Sequence, residues 1–169
     1  MTVGADDLIR LLSLEPLPGE GGYYRETYRS PVRIPGSGLP GKYGGPRHAG
    51  TAIYFLLTTD TFSALHRLRG DEIFHFYLGD PVEMLHLEPG GTGRRIIMGS
   101  APHEGLLPQA VVPAGVWQGA RLVEGGRFAL MGCTVAPGFE FEDFELGERG
   151  ALSREYPEFM ETIRALTRG

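Results

Sequence analysis

Turn residues interrupt this chain at short intervals. Its 169 residues include 26 glycines and 13 prolines, and the apolar stretches between them are short and rich in aromatic and β-branched side chains. Many brief strands joined by tight turns use both residue types, glycine for unusual φ angles and proline for a preset bend. Helical spacing is visible only near the two ends. This pattern points to an all-β sandwich or barrel.

A chain of this length fits one domain, residues 1–169, and can bury a sizeable core. Charged residues make up 22% of it and hydrophobic ones 41%, an ordinary balance for a soluble globular protein. The formal net charge of −5 argues against nonspecific attraction to nucleic acid or to an anionic membrane. No apolar run is long enough to span a bilayer. The start of the chain carries aspartates in place of a basic-then-apolar signal pattern, so cytoplasmic residence is the expectation. The single cysteine, Cys133, excludes an intramolecular disulfide. Its neighbours Leu130, Met131 and Val135 suggest a buried structural thiol.

Taken in order, Leu8, Ile9, Leu11 and Leu12 form the apolar stripe of a short helix, capped by Asp6 or Asp7 and ended by Pro16 and Pro18. Tyr23 to Tyr28 reads as an aromatic strand. Pro35 to Gly50 is a long loop, either a lid or disordered, with His48 solvated on it. Thr51 to Thr58 is a continuous apolar run suited to a strand covered on both faces. Further strands are expected at Val82–Leu87, with His86 on the outer face or in an interface, and at Arg94–Gly99, Gln109–Val112 and Arg127–Val135. Phe139 to Phe144 alternates phenylalanine with carboxylates, which reads as an edge strand with a solvated acidic face. Pro157 opens a closing helix with Phe159, Met160, Ile163 and Leu166 at helical spacing.

The most informative stretch is Ser63 to Gly79, SALHRLRGDEIFHFYLG. Strand signals flank an Arg-Gly-Asp turn. Alternation places His66 with Leu68 on one face, and Glu72 with Phe74, Phe76 and Leu78 on another. If these strands form a hairpin with those faces together, an imidazole and a carboxylate look into one apolar interior, a usual composition for a small-molecule site. His75 falls on the opposite face from Glu72.

The spacing from His66 through Glu72 to Gly79 resembles the first motif of the cupin superfamily, and Pro113-Ala114-Gly115-Val116-Trp117-Gln118 resembles the second. The wording RLRGDEIFHFYLGDP, PQAVVPAGVWQ and VAPGFEFEDFEL, with GGYYRETYRS near the start, is similar to the subgroup called cupin-5 or DUF985. The likeness runs from about Leu8 to Leu166. It implies an all-β cupin double-stranded β-helix, a jelly-roll barrel with short terminal helices. It also implies a homodimer that exchanges the tyrosine-rich N-terminal strand. Metal cupins hold one divalent ion with two histidines and a glutamate from the first motif and a histidine from the second. In this chain Leu68 and Gln118 stand at two of those four positions.

With His66 and Glu72 the strong donors and Gln118 a weak third, a required cofactor is not expected. Zinc, nickel, manganese or iron would bind, if at all, through those three residues. Without metal, His66 and Glu72 suit an acid–base pair, the carboxylate fixing the imidazole tautomer. By analogy with the non-metal sugar-nucleotide epimerases of the superfamily, Tyr54 or Tyr24 is the candidate partner acid. Glu26, Tyr24, Phe74, Gln109, Trp117 and Gln118 are the candidate ligand contacts. Besides a weakly metal-dependent cupin enzyme, which His66, Glu72 and Gln118 would have to serve, two functions follow. One is an isomerase or epimerase of a sugar derivative or other small polar metabolite. The other is a module that holds such a ligand unchanged.

Overall fold

The computed structural model describes residues 3–169. The chain opens with α1 (Ala5–Leu11), β1 (Glu15–Pro16), β2 (Tyr23–Arg29), β3 (Arg33–Ile34), β4 (Arg47–His48) and β5 (Thr51–Thr58). It continues through β6 (Ser63–Leu68), β7 (Asp71–Gly79), β8 (Val82–Glu88), β9 (Thr92–Met98) and β10 (Gln109–Val112). β11 (Trp117–Leu122), β12 (Phe128–Ala136), β13 (Phe144–Leu146), α2 (Arg149–Glu155) and α3 (Met160–Ala165) complete it. Hydrogen bonds sort the strands into a six-stranded sheet, β1-β2-β5-β12-β7-β10, and a five-stranded sheet, β13-β6-β11-β8-β9, with β3 and β4 as a separate hairpin. The named strand pairs are antiparallel. The result is the expected all-β jelly roll with short helices at its ends.

Strand alternation builds the core. Phe55, Phe74 and Met131 from the six-stranded sheet meet Val82, Met84 and Ala120 from the five-stranded one between the layers. The apolar run of β5 is covered on both sides, because Leu56 on its other face lies beneath Leu8 and Leu14. The outer face of the five-stranded sheet is closed by the C-terminal helices, where Leu65, Leu85 and Trp117 pack on Leu152, Tyr156 and Ile163. At the turn into β11, Gly115 takes φ +82°, a left-handed conformation that favours glycine, and its N–H donates to the Leu68 carbonyl. That bond ties the second motif to the first.

Several local expectations change. His66 and Glu72 do not share a hairpin: β6 and β7 belong to opposite sheets, and the Arg69-Gly70 corner carries the chain across. The N-cap of α1 is Gly4, whose N–H is accepted by Asp7 within the first turn. The 35–50 segment is tied down. Arg47 is buried and forms a two-pronged ion pair with buried Asp143, both contacts at 2.7 Å. The Tyr43 hydroxyl donates to the Arg69 carbonyl, and His48 Nδ1 lies 2.6 Å from the Ser30 carbonyl. The acidic run after Phe139 is not a solvated edge strand. It makes a 3-10 turn at Phe141–Asp143 that buries Asp143 and leaves Phe141 exposed. A buried arginine demands a carboxylate partner, and only a turn delivers one there. α2, capped by the Glu148 carboxylate accepting from Gly150 and Ala151, is an element that the apolar periodicity does not announce.

Candidate functional site

One end of the sandwich interior holds a cavity of about 130 Å³. Its walls come from five sources, one of them the connection carrying Leu17, Pro18 and Glu20. β2 supplies Tyr24, Glu26 and Arg29, and β5 with β12 supply Ile53, Cys133 and Val135. β6 and β7 supply His66, Leu68 and Glu72, and the Phe139–Phe144 segment covers the remaining side. Most of the lining is apolar, as in small-molecule sites generally, with a few polar groups converging on it.

His66 is 2% exposed and stacks on Phe144, ring centres 4.9 Å apart and planes at 25°. Its Nδ1 lies 2.7 Å from the Ala64 carbonyl oxygen. A carbonyl only accepts, so Nδ1 is the donor in this contact and Nε2 is the ring nitrogen turned to the cavity. The tautomer is therefore set by the backbone of His66's own strand, and not by Glu72 as expected. The contact of Nε2 is Glu20 Oε2 at 3.9 Å, beyond hydrogen-bond range.

Glu72 is buried, and its Oε2 accepts from Gln118 Nε2 at 2.6 Å. Burial pushes its carboxyl up to about 7; the nearby His66 opposes the rise, Glu20 adds to it, and hydrogen bonds from Gln118 and Cys133 moderate it. Burial likewise drives the Cys133 thiol well above its ordinary value. Cys133 is thus the inert buried thiol of the sequence reading, though it stands in the cavity wall. Gln118 pairs in register with His66 on one side and His86 on the other. Its Oε1 and both ring nitrogens of His86 are buried without a hydrogen-bond partner. His86 is inward-facing and 1% exposed, not on an outer surface. Burial, aided by Arg94, holds its imidazole down at about 4.

At the mouth, Arg29 binds Glu26 with two contacts of 2.9 and 2.8 Å, Glu140 at 2.8 Å and the Phe139 carbonyl at 3.2 Å. Glu20 is a member that the motif search passes over. It accepts from the Ser63 hydroxyl at 2.7 Å while its second oxygen faces His66. The available signal is local: Glu20 lies in a Gly-Glu-Gly-Gly run. Gly21, with φ +105°, presses so closely on the Phe62 carbonyl that an added Cβ would stand 2.3 Å from it. Only glycine lets the chain bring Glu20 against β6.

Tyr24 and Glu26 therefore join His66 and Glu72 at the cavity, and Gln118 reaches it through Glu72. Four other candidates do not line it. Tyr54 lies on the outer face of its strand, edge-on to Tyr77 at 6.4 Å, because its neighbours Ile53 and Phe55 take the inward positions. Gln109 is exposed and contacts His75 on the same outer face, where His75 also meets Thr134. Trp117 adjoins inward Gln118 and so points out, against the C-terminal helices and under Arg67 at 4.4 Å. Phe74 does point inward but is consumed by the core.

The donors do not make a fitting set for a divalent ion. Leu68 offers none, and Gln118 offers only a neutral amide oxygen, a weak donor. Among the described residues, no group of three or more His, Cys, Asp or Glu is placed to hold a metal.

The chain matches the family model described as cupin superfamily (DUF985) over residues 6–147. A hypothetical protein from Leishmania major has a similar structure, with TM-score 0.88 and 32% identity over 99% of this chain and 100% of that one. Protein SO0799 from Shewanella oneidensis follows at 0.85 and 36%, covering 99% of each chain. The uncharacterized yeast protein YML079W of Saccharomyces cerevisiae is 33% identical over 132 residues, which are 73% of this chain and 66% of that protein's own length. Oxalate decarboxylase of Bacillus subtilis, described with Mn(II) centres, shares the fold alone, at TM-score 0.53 and 13% identity over 92% of this chain and 38% of that one. The fold thus includes metal-binding members, whereas no described helix here is long and apolar enough to cross a membrane. The chain belongs to the DUF985 family of the cupin superfamily.

Proposed function

We propose that this protein catalyses proton transfer on a small polar metabolite, such as a sugar derivative, as an isomerase or epimerase. The observation that carries the reading is the meeting of two groups from opposite sheets in one cavity. His66 presents Nε2, and Glu72 retains its proton to about pH 7. A buried carboxyl that keeps its proton and an imidazole nitrogen without a hydrogen bond make a natural acid and base pair. His66 Nε2 takes the proton from the carbon beside the ligand's carbonyl, while Glu72 gives its proton to the carbonyl oxygen, yielding an enediol. Return of a proton from His66 to carbon, and of the enediol hydroxyl proton to Glu72, completes the isomerisation and restores both groups. Glu72 takes the acid's place that Tyr54 cannot fill from the outer face, and Tyr24 and Glu26 orient the ligand. No metal is required in this scheme.

The test is deuterium incorporation from D₂O into small hydroxyketones and aminoketones, followed by proton NMR. Incorporation by the wild type should fall by about 10² to 10⁴-fold in His66→Ala, the usual contribution of a general base. Incorporation undiminished in that variant refutes the scheme. A ligand that binds without exchange instead favours a holding module. That second reading is supported by the hydrogen bonds from Gln118 and Cys133 that hold the Glu72 carboxyl in place.

We also propose that two copies pair through the outer face of the six-stranded sheet. Exposed Tyr28, Tyr77 and Val111 support this, since apolar patches of this kind mark interfaces. A monomeric mass by light scattering at micromolar concentration would overturn it.

A further inference from the structure

The ionisable groups of the cavity are mostly carboxyls. Glu20, Glu26, Glu72 and Glu140 line it, against a single arginine, Arg29. The guanidinium of Arg29 is already bound by two of those carboxylates and by the Phe139 carbonyl. Ninety-eight per cent buried, His66 turns Nε2 into the cavity, with no hydrogen bond to the described residues. Glu20 Oε2 faces it across 3.9 Å, too far for a direct bond. One donor group placed between them would serve both. Beyond these, the cavity offers a ligand the hydroxyls of Tyr24 and Thr51 and the proton of Glu72, but no unengaged cation. The remaining wall includes the aromatic side chains of Tyr24, Phe139, Phe141 and Phe144.

We infer that the natural ligand carries a protonated amine, seated between Glu20 and His66 and sided by the aromatic rings. An ammonium has only donors to offer. It balances the excess of carboxylates, and it gains from ring faces in a partly dry site. A phosphate or carboxylate ligand meets like charges and finds no unengaged cation, so nucleotide sugars and small organic acids are disfavoured. This inference rests on the reading of the cavity as a small-molecule site, but not on proton transfer within it. Combined with that reading, it narrows the substrate class to small aminated metabolites, such as amino sugars or aminoketones.

Three probes of matched shape separate the possibilities: isobutylammonium, isobutyl alcohol and isobutyrate, titrated calorimetrically into the full chain at pH 7.5. The ammonium should bind at least tenfold more tightly than the alcohol, and isobutyrate should give no heat. Glu20→Gln, which keeps an acceptor for Ser63, should weaken ammonium binding about tenfold. Glu140→Gln, at the exposed mouth, should release part of Arg29 and narrow the preference for ammonium over isobutyrate. Equal affinity for ammonium and alcohol, tighter binding of isobutyrate, or undiminished ammonium binding in Glu20→Gln would overturn the charge assignment alone. Absence of heat with all three probes would overturn the small-molecule reading along with it.

Discussion

Replacing Glu72 with glutamine keeps the side chain's shape and its acceptor for Gln118 while removing the ionisable proton. In the native fold Glu72 holds its proton to about pH 7, against an ordinary value of 4.5 in a solvated chain. The fold therefore binds a proton that the unfolded chain has released. The stabilisation is complete below pH 4.5 and is lost as pH rises through 7. Each unit of displacement corresponds to about 1.4 kcal/mol. Integrating between the two values, wild type should fall behind Glu72→Gln by about 1 kcal/mol at pH 5 and about 3 kcal/mol at pH 8. Urea unfolding of both proteins across this range measures the gap. Other titrating groups, His86 among them, are common to the two proteins and cancel in the difference. The variant should be the more stable protein at pH 8 and should lose deuterium exchange. That combination is characteristic of a buried group retained for chemistry. Stability curves that stay parallel from pH 5 to pH 8 would show that Glu72 is not displaced by burial, and the acid role assigned to it would fail.

Three further outcomes follow from the same geometry. His86 is held neutral, near 4, inside the fold while the unfolded chain protonates near its ordinary 6.5. Wild type should therefore lose up to about 3 kcal/mol as pH falls from 6.5 toward 4. His86→Leu should abolish that loss and gain stability at neutral pH, and urea midpoints that fall with acid equally in both would contradict it. Asp143→Asn leaves the buried Arg47 guanidinium with exposed Glu142, 2.6 Å away, as its remaining carboxylate partner, and should cost up to about 3 kcal/mol. Arg47→Met with Asp143→Leu should cost much less, and equal costs would show that the pair is not effectively buried. Metal analysis of the purified protein should find far less than one equivalent of any divalent ion, with probe binding unchanged by EDTA. A stoichiometric ion lost together with binding would contradict the donor-set argument.

Much of the architecture was legible from local patterns. Brief strands between glycine and proline turns implied a β-sandwich or barrel, and the two motifs implied the jelly roll. Alternation correctly put His66 with Leu68 inward and His75 outward, because side-chain parity within a strand is a property of the backbone alone. The same parity, applied to Trp117 beside Gln118, would have sent the indole outward. Nearness to a motif does not decide a side chain's direction; strand geometry does. For Tyr54 and His86 parity gives no guidance, since β5 and β8 are apolar on both faces.

What the amino-acid order determined by itself was the alternation of faces, the positions of the turns and the small set of residues able to carry chemistry. Tertiary structure decided which of those residues meet. Glu20 comes from a glycine-rich connection with no periodicity, His66 and Glu72 come from opposite sheets, and Glu140 from an irregular segment pinned by Arg47 and Asp143. Their convergence depends on sheet closure and on burial, which also sets the proton affinity of Glu72. Both are sums over contacts distant in the chain, and no window of sequence contains them.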